Sequence, residues 1–217
     1  MKCYRNNDTD AHYNLLLEEK IFNEYNGDEE FFMLWRNDNA VIVGKNQVIE
    51  NEVNLAYAQE HNIKIVRRIT GGGAVYHDLG NVNYTYIGKK ASEFGNFLVF
   101  AMPIIEFVNT LGVQARHLGK NDIGIGNQKI SGNAQAVRGE YILHHGTLLF
   151  DVNVSVMEKV LTPDPKKLSS KGIKSVQSRV CNLSKYINMP REEFWERMCA
   201  HFQAENIVGA KNKFMAR

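Results

Sequence analysis

Three consecutive glycines, Gly71, Gly72 and Gly73, constrain the fold of this chain more than any other feature of its sequence. Residues 63–68 before them alternate β-branched and polar side chains in the way a strand does, and residues 74–77 resume that pattern. The glycines therefore predict a turn of the backbone between two strands. Because glycine has no Cβ atom, a ligand can lie directly against the main chain at this turn.

The residues on both sides of the glycines favour an anionic ligand. Arg67 and Arg68 come immediately before the turn, and His77 and Asp78 end the second strand. Amide N–H groups in such a bend can form an anion-binding concavity, and a guanidinium adds a planar fork for phosphate or carboxylate. The alternative is a glycine-rich hairpin with surface arginines, since glycine is the ordinary turn residue.

Composition limits the class of protein. The 217 residues, 44% of them hydrophobic, suit one large domain with a buried pocket. The net charge of +2 gives no overall field for nucleic acid. Cys3, Cys181 and Cys199 lack metal-ligand spacing and indicate free thiols in a reducing compartment. The N-terminus is too polar for a signal peptide and no apolar run spans a bilayer, which predicts a cytoplasmic protein without a membrane partner.

Periodicity along the rest of the chain predicts an α+β fold with a mixed, largely antiparallel sheet and packed helices. Asp10 is a candidate cap for a helix with Tyr13, Leu16, Leu17, Ile21 and Phe22 on one face. Four further helices are predicted at residues 54–61, 97–111, 156–161 and 192–205. The strand predictions are a buried hairpin of 31–35 with 40–43, a strand at 82–87 antiparallel to 74–77, and short antiparallel strands within 113–154.

Lys129 is the second feature of interest, because it lies inside an apolar strand pattern. An exposed lysine on an edge strand is one interpretation. The small residues Ser131, Gly132 and Ala134 favour another, since they leave room for a ligand beside the ammonium.

The pair His144 and His145 precedes the next strand. Without nearby cysteines or spaced carboxylates, a structural or hydrogen-bonding role is favoured over a zinc site.

Five stretches, taken in order, resemble the successive signatures of the lipoate-protein ligase A family: residues 67–81, 119–122, 129–132, 144–149 and 171–176. The resemblance covers nearly the whole chain and implies the α+β catalytic fold shared with biotin ligases and class II aminoacyl-tRNA synthetases. It also implies a two-step reaction. Lipoate attacks ATP to give lipoyl-adenylate and pyrophosphate, and a lysine of an acceptor lipoyl domain then takes the acyl group.

The same resemblance implies roles for particular residues. Lys129 bridges the acyl carbonyl and the α-phosphate as an electrostatic catalyst. Asn121 and Asp122 are candidates for nucleotide contacts, and Asp122 for Mg²⁺. An apolar slot for the acyl chain is expected around Val43, Val75 and Tyr84. The expected substrate- and nucleotide-binding set is Arg68, Thr70, Gly71, Gly72, Gly73, Ala74, Val75, Tyr76, His77, Asn81, Asn121 and Asp122.

Two other functions stay open. An octanoyl or lipoyl transferase using a pre-formed acyl donor would need a cysteine nucleophile, and no cysteine lies near the central motifs in the sequence. A non-catalytic lipoate- or nucleotide-binding module would not need Lys129. A biotin ligase is expected to carry an arginine-glycine repeat where this chain has three glycines.

The partners implied are ATP, Mg²⁺, lipoate and an acceptor lipoyl domain, from a 2-oxoacid dehydrogenase complex or the glycine-cleavage H protein. Ligases of this family usually carry a further small C-terminal domain. We therefore expect residues 1–217 to be a single catalytic domain without that accessory domain, which a separate polypeptide supplies in some members.

Overall fold

The computed structural model describes residues 1–162 and 179–207. Its strands are β1 (Lys2–Asn6), β2 (Phe31–Trp35), β3 (Ala40–Val43), β4 (Lys64–Arg67), β5 (Val75–His77), β6 (Asn81–Gly88), β7 (Ala115–Leu118), β8 (Asp122–Ile125), β9 (Gln128–Arg138), β10 (Tyr141–Leu149) and β11 (Glu205–Asn206). Its α-helices are α1 (Ala11–Glu24), α2 (Ile49–Glu52), α3 (Leu55–Glu60), α4 (Phe97–Thr110), α5 (Val154–Val160) and α6 (Arg191–His201).

Two sheets organise the described residues. The large sheet has eight strands in the order β11-β1-β2-β6-β10-β9-β8-β7, and its pairs are antiparallel except for β11 with β1 and β1 with β2. The small sheet has the order β4-β3-β5, with β4 parallel and β5 antiparallel to β3. The predicted α+β fold with a mixed, largely antiparallel sheet is confirmed.

Each face of the large sheet has its own apolar core. One face carries Phe32 and Leu34 of β2 and packs against α4 and α6. The other carries Phe31, Met33 and Trp35, which alternate with them along the strand, and packs against α1 and the small sheet. The space between the two sheets is therefore where a ligand could be enclosed.

Helix α1 begins where the sequence predicts. Asp10 Oδ1 accepts a hydrogen bond from the backbone N–H of Tyr13 at 2.8 Å, which satisfies one of the first amides of the helix. The apolar face differs by one residue from the prediction, because Leu16 is 63% exposed and Leu15 is buried. A carboxylate on this buried face, Glu18, is only 1% exposed.

The predicted hairpin of residues 31–35 with 40–43 is wrong, although both strands exist and are buried. Strand β2 pairs with β1 and β6, while β3 pairs with β4 and β5 in the other sheet. The connecting residues 36–39 carry the chain from one sheet to the other. Helices α2 and α3 connect the parallel strands β3 and β4, so these elements form a strand-helix-strand unit.

The pairing predicted for residues 82–87 is also wrong. Strand β6 does not pair with β5; it lies between β2 and β10 in the large sheet. The turn at residues 78–80 therefore changes sheets, as residues 36–39 do. Strands β4 and β5, on either side of the three glycines, flank β3, so the glycines connect the two outer strands of the small sheet and do not form a hairpin.

The remaining helices are found near their predicted positions. In α4, Pro103 lies inside the helix and not in its first turn. Helix α6 buries Phe194 and Met198 and ends at His201, before the predicted end at residue 205. None of the described helices is both long and apolar enough to cross a membrane. The family motif at 171–176, the basic stretch 166–174 and the terminal residues 210–217 lie outside the described residues.

Candidate active site

A cavity of about 380 Å³ opens between the large sheet, the small sheet and the glycine loop, defined here as residues 71–73. Its floor is one cross-strand row of the large sheet. Trp35 lies opposite Asn83, Asn83 opposite Thr147, and Asp122 opposite Gly132, whose amide N–H bonds the Thr147 hydroxyl at 3.2 Å. This row crosses β2, β6, β10, β9 and β8, which spans about 19 Å at the usual strand spacing. The cavity is thus long enough for an extended ligand.

The two ends of the floor differ in polarity. Around Trp35 the lining side chains are mainly apolar, with Leu15 from α1, Ile42 from β3 and Val75 from β5. Of the three residues expected to form an acyl slot, Val75 lines the cavity, while Val43 and Tyr84 lie in the apolar cores. An alkyl chain fits this end better than a polar group does.

Charge is concentrated at the other end. Lys129 Nζ lies 2.8 Å from Asp122 Oδ1, and Arg179 Nη2 lies 3.2 Å from Asp122 Oδ2. A Cβ atom at Gly132 would overlap the Lys129 ammonium, so any side chain there would displace that group. Two cations share one carboxylate here, and this cation cluster (Asp122, Lys129 and Arg179) can stabilise a further negative charge. Strand β9 lies between β10 and β8, so Lys129 is not on an edge strand.

Arg68 holds the glycine loop from the inside. Its Nη2 donates to the carbonyls of Gly71 and Gly73, both at 2.8 Å, its Nη1 donates to Ile42 O at 3.0 Å, and its Nε donates to Thr70 Oγ1 at 3.0 Å. Arginine has only five N–H donors. Most of this guanidinium is therefore engaged by the chain itself, and it shapes the loop more than it offers a fork to a ligand.

Backbone geometry explains two of the glycines around this loop. Gly72 has φ +98°, a conformation that L side chains rarely adopt. A Cβ at Gly44, in the turn after β3, would overlap the Gly72 carbonyl oxygen.

Desolvation by burial lowers the pKa of Arg68 to about 10, so the guanidinium still carries its charge at neutral pH.

His77 and Asn83 place polar atoms beside the apolar end. Both line the cavity and are buried, and His77 Nε2 and Asn83 Nδ2 have no hydrogen-bond partner among the described residues. His77 Nδ1 lies 3.1 Å from Asn37 Nδ2, and burial lowers the pKa of His77 to about 3. His77 is therefore a neutral ring at physiological pH.

The adjacent histidines both have hydrogen-bonding roles, as predicted. His144 bonds Gln135 and Asn133 at 3.1 and 3.0 Å, and burial lowers its pKa to about 3. His145 bonds Glu18 and, at 2.8 Å, the Thr70 hydroxyl. Within the part of the chain that the structure describes, no group of three or more histidine, cysteine and acidic side chains could hold a metal ion.

The structure brings most of the predicted site residues together. Asn121 is held by its side-chain amide, which donates to Asn133 O at 2.6 Å. Thr70 and Asn81 do not line the cavity: Thr70 lies behind the glycine loop with Arg68 and His145, and Asn81 is buried against Asn83. Those that line it are Arg68, Gly71, Gly72, Gly73, Ala74, Val75, Tyr76, His77, Asn121, Asp122 and Lys129.

Several lining residues were missed from the sequence. Arg179 is one arginine in a short segment and carries no motif, and Trp35 was seen only as part of a strand. Asn83 had a usable signal, because it is a polar residue between the apolar Val82 and Tyr84 in a strand that proves to be buried along its whole length. Glu18, which is buried but does not line the cavity, had one too, as an acidic residue on the apolar stripe of α1.

The cysteine expectation needs one correction. Cys181 is far from Lys129 in the sequence, yet its backbone N–H donates to Lys129 O at 2.8 Å. The preceding Val180 lines the cavity, while the Cys181 thiol is 1% exposed and packs in the core beneath the other face of the sheet. The thiol therefore faces away from the site, in agreement with a packed role.

Comparison with known proteins identifies relatives. The family model of the lipoyl protein ligase A/B catalytic domain matches residues 10–203. Lipoate-protein ligase 1 of Staphylococcus aureus is 43% identical over 188 residues, which are 86% of this chain and 57% of that protein. Lipoate-protein ligase LplJ of Bacillus subtilis is 40% identical over 206 residues, 94% of this chain and 62% of that protein. The chain thus spans less than two thirds of either relative.

Solved structures share the fold over the whole chain. A bipartite lipoate protein ligase of Thermoplasma acidophilum, studied with its E2 lipoyl domain, has a TM-score of 0.84 at 27% identity, covering 100% of this chain and 91% of that one. LipL1 of Plasmodium falciparum in complex with lipoate has a TM-score of 0.81 at 28% identity, covering 100% and 68%. A lipoate-protein ligase A bound with ATP has a TM-score of 0.79 at 25% identity, covering 100% and 93%.

Proposed function

Because the chain belongs to the lipoate-protein ligase A family, we propose that it activates lipoate with ATP and transfers the lipoyl group to a lysine of an acceptor lipoyl domain. The observation that carries this proposal is the arrangement of the cavity. An apolar end, a cation cluster and a loop of exposed backbone are what an acyl chain, its carboxylate and a nucleotide phosphate respectively need. All three line one cavity.

We propose that lipoate lies along the floor with its dithiolane ring toward Trp35 and its carboxylate toward Lys129. Leu15, Ile42 and Val75 would contact the alkyl chain. Removing such a chain from water is favourable by about 0.8 kcal/mol per buried methylene. The opposite orientation would place the carboxylate among these apolar side chains, where the Arg68 guanidinium is already engaged by backbone carbonyls, which is costly.

In the first step, a lipoate carboxylate oxygen attacks the α-phosphorus of ATP, and the bond from that phosphorus to the bridging oxygen of pyrophosphate breaks. Negative charge accumulates on the phosphate oxygens as this happens. The Lys129 ammonium would stabilise that charge together with the acyl carbonyl oxygen, while Asp122 keeps the ammonium in place. Arg179 would add a second cation at the same end.

In the second step, the neutral amine of the acceptor lysine attacks the acyl carbonyl carbon, the bond to AMP breaks, and the nitrogen loses one proton as the amide forms. The cation cluster again faces the carbonyl oxygen and the leaving phosphate. Lys129 acts through its charge in both steps and forms no covalent bond, which fits its ion pair with Asp122.

The glycine loop would hold the nucleotide. With Gly71, Gly72 and Gly73 presenting bare backbone, phosphate oxygens and the adenylate can approach the amides of the loop, and Ala74 to His77 continue that wall. Arg68 and Thr70 would act from behind by fixing the shape of the loop. Asn81 would act in the same indirect way through Asn83.

We expect ATP to bind together with Mg²⁺. The cavity lining offers few carboxylates for this ion. Two carboxylates, Glu52 and Asp122, line the cavity within the described residues. Magnesium is commonly bound by one or two carboxylates together with substrate phosphates. We propose that Asp122, next to Asn121, supplies a protein carboxylate for the ion, which would screen the negative charge of ATP and pyrophosphate.

The acceptor would be a lipoyl domain, from a 2-oxoacid dehydrogenase complex or a glycine-cleavage H protein. Support comes from the Thermoplasma ligase, which was studied with its E2 lipoyl domain. The thioester alternative has less support, because Cys181 and Cys199 are buried and burial raises the pKa of Cys199 to about 11. A thiol with so high a pKa is a poor nucleophile at neutral pH.

The test is incubation of the protein with ATP, Mg²⁺, lipoate and a purified lipoyl domain, followed by intact mass of that domain. We expect the mass of one lipoyl group to be added only when ATP is present. Modification that needs an acyl-carrier donor in place of ATP would favour the transferase. Binding of lipoate without modification would favour the non-catalytic module.

A further inference from the structure

A continuous chain of buried hydrogen bonds connects the apolar end of the cavity to the glycine loop. It runs from Trp35 through Thr85, Glu18, His145 and Thr70, and it ends at Arg68, which holds the loop carbonyls. In this order, the donor–acceptor distances of the five successive hydrogen bonds are 2.9, 2.5, 3.0, 2.8 and 3.0 Å. Glu18 is the centre of this chain, because it receives the hydrogen bonds from both sides.

The protons of this chain can be assigned from its donors. The Thr85 hydroxyl accepts from the Trp35 indole N–H, so its own hydrogen points to Glu18. The Thr70 hydroxyl accepts from Arg68 Nε, which leaves its hydrogen for His145 Nε2. His145 Nε2 is then an acceptor, and its Nδ1–H donates to Glu18. Every donor has an acceptor only with this neutral tautomer of His145.

The charges of the buried groups also identify Glu18 as the central residue of this chain. Glu18 is 1% exposed and Arg68 is 8% exposed, so both ions are nearly removed from water. A buried ion is costly unless it is paired, and these two are joined only through the neutral groups of Thr70 and His145. The charge of Glu18 opposes the effect of burial on the pKa of Arg68, and Glu52 does so to a smaller extent. An acidic residue on the apolar face of α1 is otherwise unfavourable.

We propose that Glu18 is the positioning residue of the glycine loop. Its carboxylate fixes the tautomer of His145 and balances the charge of Arg68, which in turn holds the Gly71 and Gly73 carbonyls in the conformation that binds the nucleotide. The role in catalysis rests on the proposed ligase function. Glu18 itself touches no substrate; it acts through His145, Thr70 and Arg68.

The first test reads the tautomer in the unmodified protein. Nitrogen-15 NMR of the His145 ring at neutral pH is expected to show a protonated Nδ1 and an unprotonated Nε2. A ring protonated on Nε2, or on both nitrogens, would overturn the proposal. This measurement needs neither substrate nor mutation, so it decides the hydrogen-bond directions even if a variant fails to fold.

The second test is a double-mutant cycle in urea denaturation with Glu18→Gln, Arg68→Met and the double variant. Glutamine keeps the shape and one acceptor but removes the charge. We expect the double variant to lose clearly less stability than the sum of the two single losses, because each single change leaves one buried ion unbalanced. Additive losses would overturn the charge-balancing role.

The third test separates positioning from general structure. Glu18→Gln is expected to raise the Kd for ATP at least tenfold and to change the KM for lipoate less than threefold. The matched control is Glu19→Gln, the same change at the next, partly exposed residue of α1, which should leave both values unchanged. Equal effects on both ligands, or none, would overturn the proposal. If the unmodified protein does not ligate lipoate while the tautomer and cycle behave as expected, only the proposed function fails.

Discussion

The cation cluster and the glycine loop both contain a conspicuous cation, and the two cations do different things. Lys129 lies on the floor of the cavity with its side chain 20% exposed and is paired with Asp122. Arg68 is 8% exposed, and four of its hydrogen bonds go to the chain itself, two of them to carbonyls of the loop. Lys129 is placed to act on a ligand, whereas Arg68 is placed to shape the backbone that binds one.

Charge beside a glycine loop is therefore not by itself evidence of an anion-binding fork. The sequence made both residues candidates for direct contact with a ligand, Lys129 as the electrostatic catalyst and Arg68 because it stands three residues before the glycines. The structure assigns that arginine mainly to the loop carbonyls, and it places cations that face the cavity floor on β9 and near Val180, far away in the sequence. The following predictions test this division.

The largest effect is expected from Lys129→Ala. We expect the rate of lipoyl transfer from ATP and lipoate to fall at least about 100-fold, since a preorganised charge at the reacting atoms contributes about 3 kcal/mol or more. The melting temperature should change little. The matched control is Lys64→Ala, which removes a sheet lysine paired with a surface aspartate, Asp10, at 2.7 Å. A rate within threefold of the unmodified protein would contradict the assigned role.

Arg68→Lys should instead lower stability and nucleotide affinity together. The three N–H donors of a lysine cannot replace the four hydrogen bonds of the Arg68 guanidinium, so we expect a loss of about 2–3 kcal/mol in the free energy of unfolding. Urea denaturation measures this loss. A fully stable variant with reduced turnover would show that Arg68 acts on the substrate and not on the loop.

Acid should destabilise the folded chain through two buried histidines, His77 beside the cavity and His144 against α4 on the other face of the large sheet. The pKa of His77 and of His144 is about 3 in the folded chain, below the ordinary 6.5, so the unfolded chain binds more protons between these values. Stability is therefore complete above about pH 6.5 and is lost as the pH falls toward 3.

From pH 7.5 to 5.5 we expect a loss of about 2–3 kcal/mol for the two rings together. Urea midpoints at the two pH values measure the loss. Because each ring contributes about half of it, His144→Gln should remove about half of the pH dependence. Identical slopes in the two proteins would show that His144 is not buried neutral.

Gly132→Ala tests whether the position of the Lys129 ammonium matters, and its expected effect on turnover is smaller. The new methyl group would overlap the ammonium and displace it from Asp122, while the glycine loop stays as it is. We expect turnover to fall about tenfold with an unchanged Kd for ATP, which corresponds to about 1.4 kcal/mol. Turnover equal to that of the unmodified protein would show that the position of Lys129 is not critical.

The smallest effects are expected at the buried thiols. Cys181→Ser and Cys199→Ser should each leave the ligation rate within about twofold, because neither thiol faces the cavity. A rate measurement with each purified variant suffices. Abolished ligation in a variant that remains folded would revive the thioester mechanism.

The sequence predicted segments better than their pairings. Alternation identified β2, β3 and β6, but it could not show that residues 36–39 and 78–80 carry the chain between two sheets, because such pairings depend on long-range packing. For the site, the three glycines and Lys129 could be predicted because their residue types are unusual in their surroundings. Arg179 did not, since it reaches Asp122 only through the tertiary fold.

Glu18 illustrates the same limit in another way. Its position on the apolar stripe of α1 was visible in the sequence, but its partners Thr85 and His145 come from β6 and β10. Helical periodicity describes which face is buried and not what that face meets. A buried acidic residue on such a stripe is therefore a signal worth following, although the sequence alone does not say what it binds.

The most direct test of the division between the two cations is calorimetric titration of ATP into Lys129→Ala and Arg68→Lys, side by side with the unmodified protein. We expect a Kd within about threefold of the unmodified value for Lys129→Ala and a Kd raised at least tenfold for Arg68→Lys, the latter equal to about 1.4 kcal/mol or more. Lost affinity in Lys129→Ala with full affinity in Arg68→Lys would contradict this division.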